Sequence, residues 1–165
     1  MVSAALTWHG VTKPIFVNQK GVKVNAQNYK NHLKKELFPA IKRIYPREDW
    51  IFIQDGASSH TSNLVQDFLN ETIPRQFIKK DQWPPKCQDS NPLDYYFWSR
   101  VKAKVYENRI NKPFIDEEEI KTKIKSVWKE CANNLYEIRK AMKEFPGRLK
   151  AIGDCNGSSI KMYFA

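Results

Sequence analysis

One short run constrains this chain more than any other: Trp50-Ile51-Phe52-Ile53-Gln54, closed by Asp55-Gly56. It is apolar, bounded by turn residues and too short for a helix, so it predicts a buried strand that ends on a carboxylate. Helical periodicity flanks it on both sides. Upstream, Tyr29, Leu33, Leu37, Ile41 and Ile44 predict a helix from Ala26 to about Tyr45, which Pro46 stops. Downstream, Leu64, Val65, Phe68 and Leu69 predict a helix starting near Thr61, and Gln76-Phe77-Ile78 a second short strand. Residues 3–8 and 14–17 predict a hairpin around His9-Gly10-Val11-Thr12-Lys13.

Trp83-Pro84-Pro85 lies in a loop running from Gln82 to Asp89 that cannot be helical. Beyond it, Leu93, Phe97, Val101 and Val105 repeat every four residues, with Pro92 suited to the first helical position. Asp116 and Glu119 form a capping-box pattern ahead of Ile120, Ile124, Val127 and Trp128, and a last helix carries Leu135, Ile138 and Met142. The order of elements is that of a mixed α/β layer fold. At 165 residues the chain fits one domain spanning residues 1–165, large enough to bury roughly two-thirds of its unfolded surface.

The net charge of +10 and a pI near 9.5 point to a polyanionic partner, nucleic acid first, because Lys and Arg displace counterions condensed on phosphates. The basic clusters are Lys79-Lys80, Arg100/Lys102/Lys104, Lys121/Lys123/Lys125 and Arg148/Lys150. Each alone is an ordinary solvated face; only their total supports DNA contact. Three separated cysteines, Cys87, Cys131 and Cys155, argue against a disulfide framework and a zinc site and fit a reducing compartment. No stretch approaches the roughly 20 apolar residues of a membrane span, and the N-terminus lacks the pattern of a signal peptide, so a soluble intracellular protein is expected.

Two carboxylates stand out. Asp55 ends the apolar run, where α/β folds gather their active groups. Asp94 follows Asn91-Pro92-Leu93 at a helix start. Each has an ordinary account: Asp-Gly is a common turn signal, and an acid in the first helical turn is favoured by the helix dipole. Together, in a basic chain, they suggest a divalent metal acting on phosphate. His60 sits at the mouth of the following helix, either near the same site or holding a local hydrogen bond. Asp89 either touches metal or holds its loop through side chain-to-backbone bonds.

At these residues the chain resembles the catalytic domain of mariner-type transposases, in the Tc/mariner superfamily of DDE/DDD enzymes. Gln54-Asp55-Gly56-Ala57-Ser58-Ser59-His60 is similar to the family's Asp-Asn-Ala-Pro-x-His block. Trp83-Pro84-Pro85-Lys86-Cys87-Gln88-Asp89-Ser90-Asn91-Pro92-Leu93-Asp94 is similar to its Trp-Pro-Pro-x-Ser-Pro-Asp-Leu-Asn-Pro-x-Asp/Glu block. Counted from 56 to 93, 38 residues lie between the two acids, near the family's usual spacing. Weaker echoes occur at residues 21–29 and in the tail from Arg148 to Phe164.

The resemblance implies an RNase H-like fold, with Asp55 and Asp94 as the second and third catalytic acids and metal ligands. It implies two divalent ions, Mg²⁺ or Mn²⁺, and phosphodiester hydrolysis followed by strand transfer. The implied partners are transposon-end and target DNA and a second or full-length transposase; the implied location is the nucleus. Gly56 and Ser58 depart from the family's Asn and Pro, and Cys87-Gln88-Asp89-Ser90 from its Ser-Pro-Asp-Leu. The family's first acid lies on a strand before the hairpin, whereas no Asp or Glu here precedes Glu36. The expectation is a fold missing its first strand and without the helix-turn-helix region, impaired in cleavage. The alternative is a non-catalytic basic remnant that binds DNA or a transposase.

Overall fold

The computed structural model describes residues 1–17, 24–47, 49–83, 88–109, 112–155 and 160. In chain order the elements are β1 (Val2–Ser3), β2 (Leu6–Thr7), β3 (Gly10–Val11), β4 (Ile15–Phe16), α1 (Ala26–His32), α2 (Phe38–Ile44), α3 (Asn63–Thr72), α4 (Trp98–Tyr106), α5 (Glu117–Asn133) and α6 (Leu135–Asp154). They form two compact units. The first holds residues 1–5 and 15–88, the second residues 6–14 and 89–165.

In the first unit β1 pairs antiparallel with β4, Val2 opposite Phe16 and Ser3 opposite Ile15. The predicted helix over 26–45 is present, with a wider π-turn over Leu33–Leu37 between α1 and α2. Pro39 explains the widening. It has no N–H to continue the regular ladder, and the turn closes instead with the Phe38 N–H on the Leu33 carbonyl. The spacing of Tyr29, Leu33, Leu37 and Ile41 survives and buries one stripe against Val65, Phe68 and Leu69 of α3. The Phe38 ring stacks on Phe68 at 6.2 Å and meets Phe52 edge-on at 5.4 Å.

The predicted strands over 50–54 and 76–78 shrink to one parallel bridge between Phe52 and Phe77. Its hydrogen bonds run from the Phe52 N–H to the Gln76 carbonyl (2.7 Å) and from the Ile78 N–H to the Phe52 carbonyl (3.0 Å). Only Phe52 is buried, while Ile51 and Ile53 remain 60% and 36% exposed. The run is therefore not a strand buried throughout. The backbone groups of Ile51 and Ile53 have no hydrogen-bond partner among the described residues, so no ladder extends on that side.

In the second unit β2 pairs antiparallel with β3, Leu6 opposite Val11 and Thr7 opposite Gly10. Gly10 takes φ +138°, a conformation L side chains avoid, and closes the turn through Trp8-His9. Asp116 caps α5 by accepting the Glu119 N–H at 2.8 Å, while the Glu119 carboxylate accepts the Ile115 N–H at 2.7 Å. That is the predicted capping box with its return bond one residue earlier. Asn134 caps α6 by accepting from the Glu137 N–H. The core centres on Phe97, fully buried, whose ring meets Trp128 edge-on at 5.0 Å. The Trp128 indole N–H donates to the Thr12 carbonyl at 3.0 Å. Among the described residues no helix is long and apolar enough to cross a membrane, and Cys131 and Cys155 are free thiols. Cys87 lies outside the described residues.

Candidate active site

Asp55 follows the bridged run directly and belongs to the first unit. Its Oδ1 accepts the Ala57 N–H at 3.1 Å, so the turn role read from Asp-Gly is real. The same oxygen lies 2.6 Å from Nδ1 of His60, off the axis of a linear hydrogen bond. Oδ2 has no hydrogen-bond partner among the described residues.

His60 is itself clamped. Its ring stacks on Tyr29 at 3.9 Å, and its carbonyl accepts from the Gln54 and Gln66 side-chain amides, each at 3.2 Å. The Tyr29 hydroxyl donates to Gln54 Oε1 at 3.0 Å, closing a network around the carboxylate. Of the two readings of His60, the one placing it at Asp55 fits the geometry. Gly56 has an ordinary backbone and open space where a Cβ would stand, so this departure from the family pattern answers no steric need.

The His60 imidazole holds the Asp55 carboxyl below its ordinary value of 3.8; burial opposes this and the Ala57 amide adds to it. Burial, and then the Asp55 charge, push the Tyr29 phenol far up, so it stays a hydrogen-bond donor. A depressed native pKa stabilises the fold fully above the unfolded value, and that stability is lost as pH falls through the lower native value. Asp55→Asn should therefore flatten the acid limb of a stability profile. Urea melts from about pH 5 to pH 2 are expected to show wild type and variant converging at the acid end. The half-exposed carboxylate limits the difference to under about 1 kcal/mol. Parallel curves throughout would contradict this account.

Asp94 belongs to the second unit, inside a π-turn over Leu93–Phe97 that leads into α4. Asn91 begins the helix: its side chain accepts the Leu93 N–H at 3.1 Å and its carbonyl the Asp94 N–H at 2.8 Å. The turn closes with the Trp98 N–H on the Leu93 carbonyl. Next to Asp94, the Tyr95 hydroxyl donates to the Ala141 carbonyl at 2.7 Å, and the Arg148 guanidinium lies 3.9 Å from the Tyr95 ring centroid.

Asp89 has the loop-holding role. Its Oδ2 accepts the Ile160 N–H at 3.2 Å, and its carbonyl accepts from Arg148 at 3.1 Å. Several basic-cluster residues are likewise structural. Lys121 is buried between Glu117 and Glu118, Lys104 pairs with Glu130, and Arg148 is buried on Glu144. The Pro-Pro-Lys-Cys part of the second block, residues 84–87, lies outside the described residues. Among those that are described, no cluster of three His, Cys, Asp or Glu side chains could hold a metal ion.

Known proteins bear on this arrangement. No family model matches the chain. The Tc3 transposase of Caenorhabditis elegans is 27% identical over 157 residues, covering 94% of this chain and 45% of that protein. The chain thus spans less than half of the curated relative. The Mos1 transposase catalytic domain, solved with raltegravir and Mn, superposes with a TM-score of 0.78 at 22% identity, covering 97% of this chain and 76% of that one. The same domain with Mg gives 0.77 at 22% identity over the same shares. A Mos1 paired-end complex with the left transposon end gives 0.76 at 22% identity, covering 97% of this chain and 44% of that one.

The fold is RNase H-like and matches that of the Mos1 transposase catalytic domain. In sequence the chain is similar to the Tc3 transposase, and in fold to the Mos1 mariner transposase catalytic domain.

Proposed function

We propose that the chain is catalytic machinery of a DNA transposase in which Asp55 and Asp94 are metal ligands for phosphodiester cleavage and strand transfer. One observation carries this reading. In a fold matched to the Mos1 catalytic domain over 97% of the chain, Asp55 ends the bridged run with one carboxylate oxygen braced by His60 and Ala57 and the other unengaged. Carboxylate oxygens are the donors that Mg²⁺ and Mn²⁺ prefer. When bound, such ions would supply Lewis-acid charge at the phosphate and a water or 3′-hydroxyl of lowered pKa. The chain's own part is to hold the donors: His60, stacked on Tyr29, fixes the Asp55 carboxylate, and the Asn91 start fixes the turn carrying Asp94.

Two carboxylates fall short of the family's three, so these 165 residues alone should cleave DNA weakly or not at all. The partners of this reading are transposon-end and target DNA and a second transposase molecule, and the place of action is the nucleus. The net charge of +10 also favours a second reading, DNA binding without chemistry.

The test is plasmid nicking with Mn²⁺ or Mg²⁺, paired with Mn²⁺ binding followed by water-proton relaxation. Weak Mn²⁺ binding lost in Asp55→Asn, with little or no nicking, is expected. Strong nicking lost in Asp55→Asn and Asp94→Asn would keep the acids catalytic and overturn the impairment. Nicking that survives both substitutions would overturn the site. Salt-sensitive DNA binding without Mn²⁺ binding or nicking would favour the second reading.

A further inference from the structure

A second feature uses neither acid. In the second unit, Trp8 in the turn between β2 and β3 and Tyr136, Arg139, Lys140 and Lys143 on α6 line an open groove of about 430 Å³. The four α6 residues are spaced i, i+3, i+4 and i+7, which places them on one face of the helix. Arg139 ties the two elements together. Its Nε donates to the Trp8 carbonyl at 3.1 Å, and its guanidinium lies 5.5 Å from the Trp8 ring centroid.

The groove leaves aromatic surface open: Trp8 is 38% and Tyr136 75% exposed. Its charges are also unspent. Lys140 and Lys143 have no ion-pair partner among the described residues, whereas Lys104, Arg109, Lys121 and Arg148 of the same unit are each paired with a glutamate. Exposed aromatic rings beside unpaired cations match the two surfaces of an unpaired nucleotide, a flat base and a phosphate. A duplex keeps its bases stacked on one another and offers these rings no face; an acidic peptide would satisfy the lysines but not the rings. The volume lies toward the small end of ligand clefts, roughly 300–1,000 Å³.

We propose that this groove binds unpaired nucleotides of a DNA strand, with bases stacked on Trp8 and Tyr136 and phosphates held by Arg139, Lys140 and Lys143. Binding requires no metal and no catalytic acid.

The experiment is fluorescence anisotropy with fluorescein-labelled oligo-dT and a duplex of equal length, using the 165-residue chain in EDTA, so cleavage does not enter. Tyr136→Ala should weaken oligo-dT binding about tenfold and duplex binding less than twofold. Tyr136 is exposed, so its loss leaves the fold intact, and superimposable circular-dichroism melts check that. Trp8→Phe, which keeps a ring, should retain binding that Trp8→Ala loses. Lys140→Met with Lys143→Met should lower the log–log salt slope for oligo-dT by about 1.4. Oligo-dT binding within twofold of wild type in Tyr136→Ala would overturn the proposal. So would equal losses for both DNAs, or polyglutamate competing as well as oligo-dT.

Discussion

Phe97→Ala is expected to destabilise the second unit by about 3–5 kcal/mol, the range for deleting a buried aromatic side chain. Phe97 is fully buried, and its ring meets Trp128 at 5.0 Å and Trp98 at 5.9 Å. Removing it strips one partner from a three-ring cluster whose other members are too large to close the gap. Trp128 is also pinned by its hydrogen bond to the Thr12 carbonyl, which limits relaxation. Chemical denaturation followed by hydrogen exchange assigns the loss to a unit. Amides of α4 and α5 should lose protection, while those of α1 and α3 change far less. Phe97→Leu, which refills part of the space, should recover about half of the loss. A cost below about 1 kcal/mol would mean that the cluster repacks freely.

Arg148→Met is expected to cost about 2–3 kcal/mol, the next largest effect. The Arg148 side chain is buried, with Nε and Nη2 on Glu144 Oε2 at 3.0 and 2.9 Å, Nη1 on the Asp89 carbonyl, and the Tyr95 ring against its plane. Methionine fills much of the same space, so the loss is charge and hydrogen bonds rather than volume. Glu144 is partly exposed and can turn to water, which keeps the cost below that of a fully buried orphaned charge. Arg148→Lys should not restore stability, because an ammonium lacks the planar fork that reaches Glu144 and Asp89 together. Burial raises the Tyr95 phenol to about 12, with the Arg148 charge working against it. Tyr95 labelled for NMR titration should therefore titrate higher in Arg148→Met. Urea melts measure the stability.

Much of the helical framework was legible because its signals are local. The Tyr29–Leu33–Leu37 stripe and the Asp116 cap depend on residues within a few positions of each other, and both read correctly. The apolar run at Trp50–Gln54 read as a buried strand because hydrophobicity reports preference, not which neighbours are present to pair. Ile51 and Ile53 show the difference, their side chains exposed and their backbone groups without partners among the described residues.

At the candidate site, the Asp55-to-His60 spacing was local enough to raise their association, while the clamp of His60 by Tyr29 joins residues distant in sequence. Asp89 was settled by a similar long-range bond, to Ile160. The basic clusters misled for the opposite reason. Proximity in sequence grouped Lys121 and Arg148 with exposed surface lysines, although pairing with glutamates three or four residues away leaves both largely buried. The Trp8 groove left no local signal, because its rings, Trp8 and Tyr136, are far apart in sequence.

The π-turn at Leu93–Phe97 acts as a phase shift in the helical wheel. Without it, residues 94, 97, 101 and 105 would lie along one stripe, because offsets of three, seven and eleven repeat the same face. Phe97, Val101 and Val105 are the buried members of that stripe, and an unbroken helix would drive the Asp94 carboxylate in among them. The wider turn rotates position 94 away from that line. The same helix can thus pack tightly downstream and keep a partly buried acid at its start.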